Sequence, residues 1–308
     1  MSNFRITIVG LGATGASLGL ALKEADRELR IIGHDREPAA AAAARKAGAV
    51  DHTEWNLPAA CRGSQLIILA LPLAAIRDTL AAIAADLEAG CLVTDTAPLK
   101  VAVLAWAREV LPPSVDFVGG DPLFARGLQT APSAALFNGV TYCFCPAPGA
   151  SERALERASD LAQAVGATPR FLDPTEHDGL VAALDELPFL LAAAALQAAA
   201  GSGGWRELAI LGGARLDRLI ALMGDDPSAA LDTAAANAEN ASRYLQEASQ
   251  RLEHLRELLQ ASPKERRETL SALEAAIGRW QRRGQEPGGR GLAVRPRDAD
   301  DREVAAAG

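Results

Sequence analysis

The spacing of hydrophobic residues along the chain changes near residue 173. Before that point, short apolar runs rich in Ile, Leu and Val alternate with alanine-rich amphipathic stretches. This alternation predicts a mostly parallel, doubly wound α/β sheet. The predicted strands cover residues 5–9, 29–33, 65–71, 91–94, 140–145 and 168–172, and the predicted helices cover 16–23, 38–47, 76–87, 101–111 and 151–165.

After residue 174 the sequence shows only helical periodicity. The predicted helices cover 176–200 (bent near Pro188), 205–223, 228–260 and 262–283, the last starting with the capping-box spacing of Ser262 and Glu265. We therefore predict an α/β domain over 1–173 and an all-helical domain over 174–283. Residues 284–308 are rich in Gly, Pro, Arg and Asp, which predicts a disordered tail.

Two apolar features of the helical part bear on its partners. Leu245, Leu252, Leu255 and Leu259 form a stripe along one helix, and such a stripe needs a covering surface. We expect that surface to be a second copy of the chain, giving a homodimer. The most apolar run, residues 187–200, is too short to span a bilayer, so we expect a buried helix and no membrane partner.

A glycine-rich turn follows the first strand. Gly10, Gly12 and Gly15 have G-x-G-x-x-G spacing between an apolar strand and a helix. In a dinucleotide site, these glycines allow a tight turn, close approach of the pyrophosphate, and packing of helix on strand. The alternative is a glycine-rich turn of some other α/β protein. We predict that the turn binds a dinucleotide through Gly10, Leu11, Gly12, Ala13, Thr14 and Gly15.

An acidic residue stands just past the second predicted strand, as such a site requires. A carboxylate at Asp35 accepts hydrogen bonds from the ribose hydroxyls and repels a 2′-phosphate, which favours NAD over NADP. Arg36 is a possible partner for a 2′-phosphate, so NADP stays open as the alternative. Leu71 and Pro72 end the third predicted strand and should border the nicotinamide half of the site.

Composition narrows the class of protein. The 308 residues are 49% hydrophobic and 23% charged, which suits a globular protein of about two domains. A net charge of −8 argues against nucleic acid or an anionic membrane as partner.

No His or Cys cluster has metal-ligand spacing, and the four cysteines suggest reduced structural thiols. The first strand begins at residue 5, so we expect no signal peptide and a cytoplasmic location.

Several motifs together resemble the prephenate/arogenate dehydrogenase family. They are GLGATGASLGLALK, LIILALPLAAI followed by GCLVTDTAPLK, FVGGDPLFA, and EHDGLVAALDELPFLLA. The resemblance covers residues 5–260 and implies an N-terminal Rossmann domain followed by a helical dimerisation domain. It also implies an NAD(P)-dependent oxidative decarboxylation of a small cyclohexadienyl substrate, in which a histidine accepts a hydroxyl proton.

The chain departs from the family pattern where that chemistry is expected. Pro98 replaces the family's serine, and Asp121 replaces the proton-accepting histidine. In the later motif, Glu186 and Phe189 replace two histidines and Asp185 replaces a serine. The pocket thus gains up to three carboxylates, which would repel a substrate that carries two negative charges.

The resemblance nevertheless supplies a set of candidates. The catalytic candidates are Asp121, Lys100 and His177, and the substrate-binding candidates are Arg215, Arg218 and Glu186. Each catalytic candidate also has a structural alternative: a cap of a GGDP turn for Asp121, a solvated lysine for Lys100, and a capping or inter-domain hydrogen bond for His177.

Four functional hypotheses remain open at this point. In the first, Asp121 replaces the family's histidine as general base. In the second, the substrate carries an amine, as in aminodeoxyprephenate. In the third, the site is inactive and the protein only binds NAD. The fourth is a β-hydroxyacid dehydrogenase, a class with similar architecture that uses a lysine as acid and base.

Overall fold

The computed structural model describes residues 4–123 and 131–282. The residues that the structure describes divide into two compact units, the first ending at residue 252 and the second beginning at residue 253. The tail predicted to be disordered, 284–308, lies outside the described residues.

An eight-stranded sheet is the centre of the first unit. Its strands are β1 (Arg5–Val9), β2 (Arg30–His34), β3 (His52–Thr53), β4 (Leu66–Leu69), β5 (Leu92–Asp95), β6 (Asp116–Leu123), β7 (Thr141–Pro146) and β8 (Thr168–Phe171). Their order across the sheet is β3-β2-β1-β4-β5-β6-β7-β8. All neighbouring pairs are parallel except β6 and β7, which run antiparallel. The predicted doubly wound α/β fold is confirmed.

The sheet is buried on both faces, and its central strand β4 is apolar at every position. In β4, Leu66 and Ile68 point into one core, and Ile67 and Leu69 point into the other. Alternate residues of a strand face opposite sides of the sheet, so a continuous apolar run serves both cores at once. The carboxyl ends of the parallel strands then define one edge of the sheet, where ligands bind in folds of this type.

Helices cover the two faces of the sheet and continue beyond it. Those of the α/β part are α1 (Ala13–Ala25), α2 (Pro38–Lys46), α3 (Leu57–Cys61), α4 (Leu73–Ile83), α5 (Val101–Val110) and α6 (Glu152–Ala164). The following ones are α7 (Pro174–Val181), α8 (Leu187–Ala200), α9 (Trp205–Leu211), α10 (Ala214–Ile220), α11 (Pro227–Ala236), α12 (Ala238–Leu258) and α13 (Pro263–Arg282). Short 3-10 segments cover Ala84–Asp86, Ala134–Phe137 and Ala221–Met223. As predicted, no strand occurs after residue 174 among the residues that the structure describes.

Three predicted helices are interrupted. A π-helical turn, Ala182–Glu186, separates α7 from α8 just before Pro188, which has no N–H to donate to the preceding turn. The helix predicted over 205–223 breaks between α9 and α10, where Gly212 has a φ of +62°. The helix predicted over 228–260 breaks at Asn237, whose φ of −111° and ψ of 30° are not helical. The single long helices predicted in these two regions are therefore wrong.

Two further predictions about local structure are wrong. The segment Gly119–Asp121 is not a polar turn, because it pairs with β7 as part of strand β6. Residues 187–200 are not a buried helix, since only Phe189 and Ala192 of α8 are buried. The stretch Pro174–Ala200 is long and apolar enough to cross a membrane by length and composition alone, with 28% of its most apolar window buried.

The second unit contains the end of α12 and the whole of α13. The predicted capping box is confirmed at the start of α13. The Glu265 carboxylate accepts a hydrogen bond from the Ser262 backbone N–H at 2.8 Å, and the Glu265 N–H donates to Ser262 Oγ at 3.3 Å. The Ser262 hydroxyl and the Ser262 backbone N–H both donate to the Glu265 carboxylate and lower its pKa.

Candidate active site

The glycine turn is closely packed at two positions and open at the third. Gly10 has a φ of +91°, and a Cβ there would lie 2.2 Å from the Ala70 carbonyl oxygen. At Gly15 a Cβ would lie 1.8 Å from the Gly10 oxygen, so neither position tolerates a side chain. A Cβ on Gly12, the residue before α1, meets nothing within 4 Å. The turn therefore leaves room at Gly12, beside the helix N-terminus, where a pyrophosphate would lie.

Asp35 lies against this turn, directly after β2. Its Oδ2 accepts a hydrogen bond from the Leu11 N–H at 2.7 Å, and its Oδ1 accepts one from the Glu37 N–H at 2.8 Å. Arg36 is exposed beside it. These contacts hold the carboxylate at the carboxyl edge of the sheet next to the glycine turn. Turn, helix N-terminus and carboxylate together fit a dinucleotide.

The remaining predicted cofactor residues flank the turn. Ala13 and Thr14 are half-buried in the first turn of α1. Leu71 and Pro72 follow β4, and a Cβ added at Gly10 would lie 2.9 Å from the Leu71 side chain. Leu71 therefore closes the turn from the β4 side. Contact of these four residues with a cofactor stays a prediction.

Lys100 lies in a buried ion pair, not in solvent. Its side chain is 0% exposed, and its Nζ donates to the Asp95 carboxylate and to the Gly120 carbonyl oxygen at 2.7 Å. Asp95 also accepts hydrogen bonds from the N–H groups of Ala97 and Gly120. Burial raises the pKa of Asp95, and the Lys100 ammonium beside it opposes that shift. The alternative that Lys100 is solvated is therefore wrong. Its Nζ atom links strand β5, through Asp95, to strand β6, through Gly120.

A histidine stands between two buried carboxylates at the edge of the sheet. His177 Nδ1 lies 2.9 Å from Asp178 Oδ1, and His177 Nε2 lies 3.3 Å from Asp121 Oδ2. Asp178 also accepts hydrogen bonds from the backbone N–H groups of Lys100 at 2.7 Å and Val101 at 3.0 Å, at the start of α5. The three side chains therefore form a line from helix α5 to strand β6, which we call the Asp178–His177–Asp121 line.

The pKa of His177 is raised above its ordinary value. Burial by itself lowers the pKa of this imidazole, but hydrogen bonding to Asp121 and Asp178 favours the protonated ring and outweighs burial. The nearby Lys100 charge acts in the lowering direction. The ring consequently carries its proton over a wider pH range than a free histidine does.

Glu186 forms a separate buried contact with Asn237. Asn237 Nδ2 lies 3.0 and 3.1 Å from the two carboxylate oxygens, and it also lies 2.9 Å from the Asp178 carbonyl oxygen. Burial raises the pKa of Glu186 to about 7; the Asn237 hydrogen bond opposes the shift, and the charges of Asp178 and Asp185 add to it. Asn237, which interrupts the long helix, therefore hydrogen-bonds to Glu186, one of the predicted substrate-binding residues.

The carboxylates do not form the cluster of unpaired negative charges that the sequence suggested. Glu186 is bound to Asn237, Asp121 faces His177, and Asp185 is exposed. Arg215 and Arg218 are exposed on α10 and so are not part of this buried set. Their role in substrate binding stays a prediction, as do the catalytic roles of Asp121, His177 and Lys100.

Two members of the buried set were missed from the sequence. Asp95 has a detectable signal, because an acidic residue directly after an apolar strand lies at the ligand-binding edge of such a sheet. Asn237 has no such signal, since the sequence around it predicts an uninterrupted helix.

Two family models match the chain. Residues 18–170 match "Prephenate dehydrogenase, nucleotide-binding domain", and residues 173–273 match "Prephenate dehydrogenase, dimerization domain".

Curated relatives are similar to about three fifths of the chain. Prephenate dehydrogenase of Bacillus subtilis is 31% identical over 192 residues, which are 61% of this chain and 52% of the relative. Cyclohexadienyl dehydrogenase of Zymomonas mobilis is 25% identical over 190 residues, 61% of this chain and 64% of that protein. The chain therefore spans about half the length of the first of these relatives.

Solved structures show the same fold. Arogenate dehydrogenase of Synechocystis superposes with a TM-score of 0.76 at 25% identity, covering 91% of this chain and 99% of that one. Prephenate dehydrogenase of A. aeolicus, in complex with hydroxyphenyl propionate and NAD+, superposes with a TM-score of 0.81 at 21% identity and the same coverage.

Proposed function

Because the chain belongs to the prephenate dehydrogenase family, we propose that it is an NAD-dependent oxidoreductase that oxidatively decarboxylates prephenate or a related cyclohexadienyl compound. The observation that carries the proposal is the Asp178–His177–Asp121 line at the carboxyl edge of the sheet, on the strand edge that also holds the glycine turn. It offers a proton acceptor at the position where the family pattern has a histidine.

In the proposed reaction, Asp121 replaces that histidine as general base. NAD, which the glycine turn and Asp35 would hold, would supply the hydride acceptor for the ring carbon that bears the hydroxyl. Asp121 takes the hydroxyl proton, and loss of carbon dioxide makes the ring aromatic. His177 Nε2 faces the Asp121 carboxylate, and Asp178 holds the opposite ring nitrogen at 2.9 Å. Asp121 is 0% exposed, so substrate entry has to uncover it.

The surrounding contacts argue against two alternatives. A hydroxyacid dehydrogenase with a lysine acid needs a free ammonium, but the Lys100 ammonium is bound to Asp95 and Gly120. An amine-bearing substrate needs carboxylates that are free to hold it, but Glu186 is bound to Asn237 and its pKa near 7 reduces its charge. Prephenate is therefore the substrate that we propose first.

The proposal extends to cofactor, assembly and location. We propose NAD rather than NADP because the Asp35 carboxylate, fixed against the glycine turn, would accept hydrogen bonds from the ribose hydroxyls and repel a 2′-phosphate. We also propose a nucleotide-binding domain over 1–173, a helical domain over 174–283 and a homodimer formed through the helical domain. A cytoplasmic location is consistent with four buried, reduced cysteines.

A panel of substrates tests the proposal. NADH absorbance is followed with prephenate, arogenate, aminodeoxyprephenate and a simple 3-hydroxyacid, each with NAD and with NADP. We expect turnover of prephenate with NAD and a lower kcat/KM for the other combinations. Activity on the hydroxyacid alone, or NAD binding without turnover of any compound, would contradict it.

A further inference from the structure

A recess of about 780 Å³ opens beside Asp35. It lies between helix α2 and the loop that follows β3. One side is apolar, formed by Pro38 and two alanines of α2, and three cationic side chains surround it. The indole of Trp55 lies on the β3 side of the recess. None of these features is used by the proton transfer proposed above.

The loop that carries Trp55 is held firmly by hydrogen bonds on both sides of the indole. The Glu54 N–H donates to the Gly33 carbonyl oxygen at 2.9 Å, and the Glu54 carbonyl oxygen lies 2.9 Å from His34 Nδ1. The Asn56 N–H donates to the Glu54 carboxylate at 2.9 Å. The backbone of the loop is therefore fixed to β2 while the Trp55 side chain projects outward.

This indole is far more exposed than an aromatic ring of its size usually is. Trp55 is 84% exposed, compared with 41% for Trp205 and 56% for Trp280. Leaving so much apolar area in water is unfavourable, and a ligand that covers the ring recovers that free energy. A flat, aromatic ligand suits an indole face on a fixed loop.

We propose that Trp55 is the adenine platform of the cofactor site, an inference that rests on the NAD dependence proposed above. The ribose that Asp35 would hold carries the adenine on its adjacent carbon, so the base lies within one sugar of that carboxylate. Trp55 lines the same recess as Asp35, which places the indole within reach of the base. Stacking on an indole needs no particular hydrogen bond and adds affinity without changing the reaction.

Calorimetric titration with ADP-ribose and with NAD tests this inference without any turnover. Trp55→Ala should weaken binding of both ligands about tenfold and by the same factor, because the two share the adenosine half. Trp55→Phe should restore most of the affinity. Trp205→Ala, which removes another exposed indole outside the recess, is the matched control and should leave both dissociation constants unchanged.

Tryptophan emission supplies an independent readout. ADP-ribose should quench part of the emission of the unaltered protein, and Trp55→Phe should abolish that quenching. If Trp55→Ala binds ADP-ribose as tightly as the unaltered protein, the inference is overturned while NAD dependence stands. If the unaltered protein binds neither ligand, both proposals are overturned.

Discussion

His177 is the residue on which the proposed chemistry depends, because both of its ring nitrogens face carboxylates. One carboxylate, Asp178, is fixed by two backbone N–H groups at the start of α5. The other, Asp121, lies on β6 at the edge of the sheet. The sequence identifies Asp121 and His177 as candidates through the family motifs, but it does not predict the line, since Asp121 and His177 lie more than fifty residues apart in the sequence.

Glu186 gives a prediction about stability and pH. Its folded pKa of about 7 lies above the ordinary value of 4.5, so between these values the native state holds a proton that the unfolded chain releases. This group therefore lowers the free energy of unfolding as pH rises through that window. Glu186→Gln should remove this pH-dependent loss of stability and keep a hydrogen bond with Asn237.

Urea unfolding at a series of pH values measures the effect. Relative to the unaltered protein, Glu186→Gln should gain stability progressively from about pH 4.5 to about pH 7 and keep that gain above it. Glu247→Gln, on an exposed part of α12, is the control. A constant difference between Glu186→Gln and the parent across this range would show that the carboxyl does not titrate there.

At the scale of elements, the buried Lys100–Asp95 pair ties three of them together. Asp95 ends β5, Lys100 precedes α5, and both bind the backbone of Gly120 in β6. A buried charge that loses its partner is strongly destabilising, whereas loss of both charges costs much less. The pair is therefore expected to hold the part of β6 that carries Asp121.

Lys100→Met should accordingly lower the free energy of unfolding by about 3–5 kcal/mol. The double variant Lys100→Met with Asp95→Asn should recover a large part of that loss, because no unpaired carboxylate remains. Chemical denaturation of both variants measures the difference. Equal destabilisation of the single and double variants would show that the ion pair is not what Lys100 contributes.

The elements that the sequence predicts well are those with a local cause. The glycine turn, the buried strands of the sheet and the capping box at Ser262 follow from glycine spacing, apolar runs and cap chemistry. Asp121 was wrongly placed in a turn, because the pairing of Gly119 and Gly120 with β7 depends on residues distant in sequence. The interruption at Asn237 has the same origin, since its partners Glu186 and Asp178 lie about fifty residues earlier.

At the scale of the whole molecule, the helical part leaves much apolar surface uncovered within one chain. Leu252, Leu255 and Leu259 are 56%, 44% and 73% exposed, and only two residues of α8 are buried. Such a surface on a chain that matches a dimerization-domain model favours a second copy as its cover. The sequence indicates the leucine stripe but not the exposure of α8, which composition alone suggested to be core.

Light scattering should therefore give a mass of two chains, each of 32.1 kDa. Leu252→Glu combined with Leu255→Glu should shift the protein towards the mass of one chain, because charges desolvated at an interface are costly. Ala81→Glu combined with Ala82→Glu, which adds the same two charges at exposed positions of α4, should leave the dimer intact. A monomer from the unaltered protein would contradict the predicted homodimer.

The most direct test of the central claim is the rate of NADH formation from prephenate by Asp121→Asn beside the unaltered protein. An amide cannot accept the hydroxyl proton, so kcat should fall by about 100-fold or more while the dissociation constant for NAD stays the same. Asp160→Asn, an exposed carboxylate on α6, is the control and should retain full activity. Full activity of Asp121→Asn would contradict the claim that this carboxylate has replaced the family's histidine.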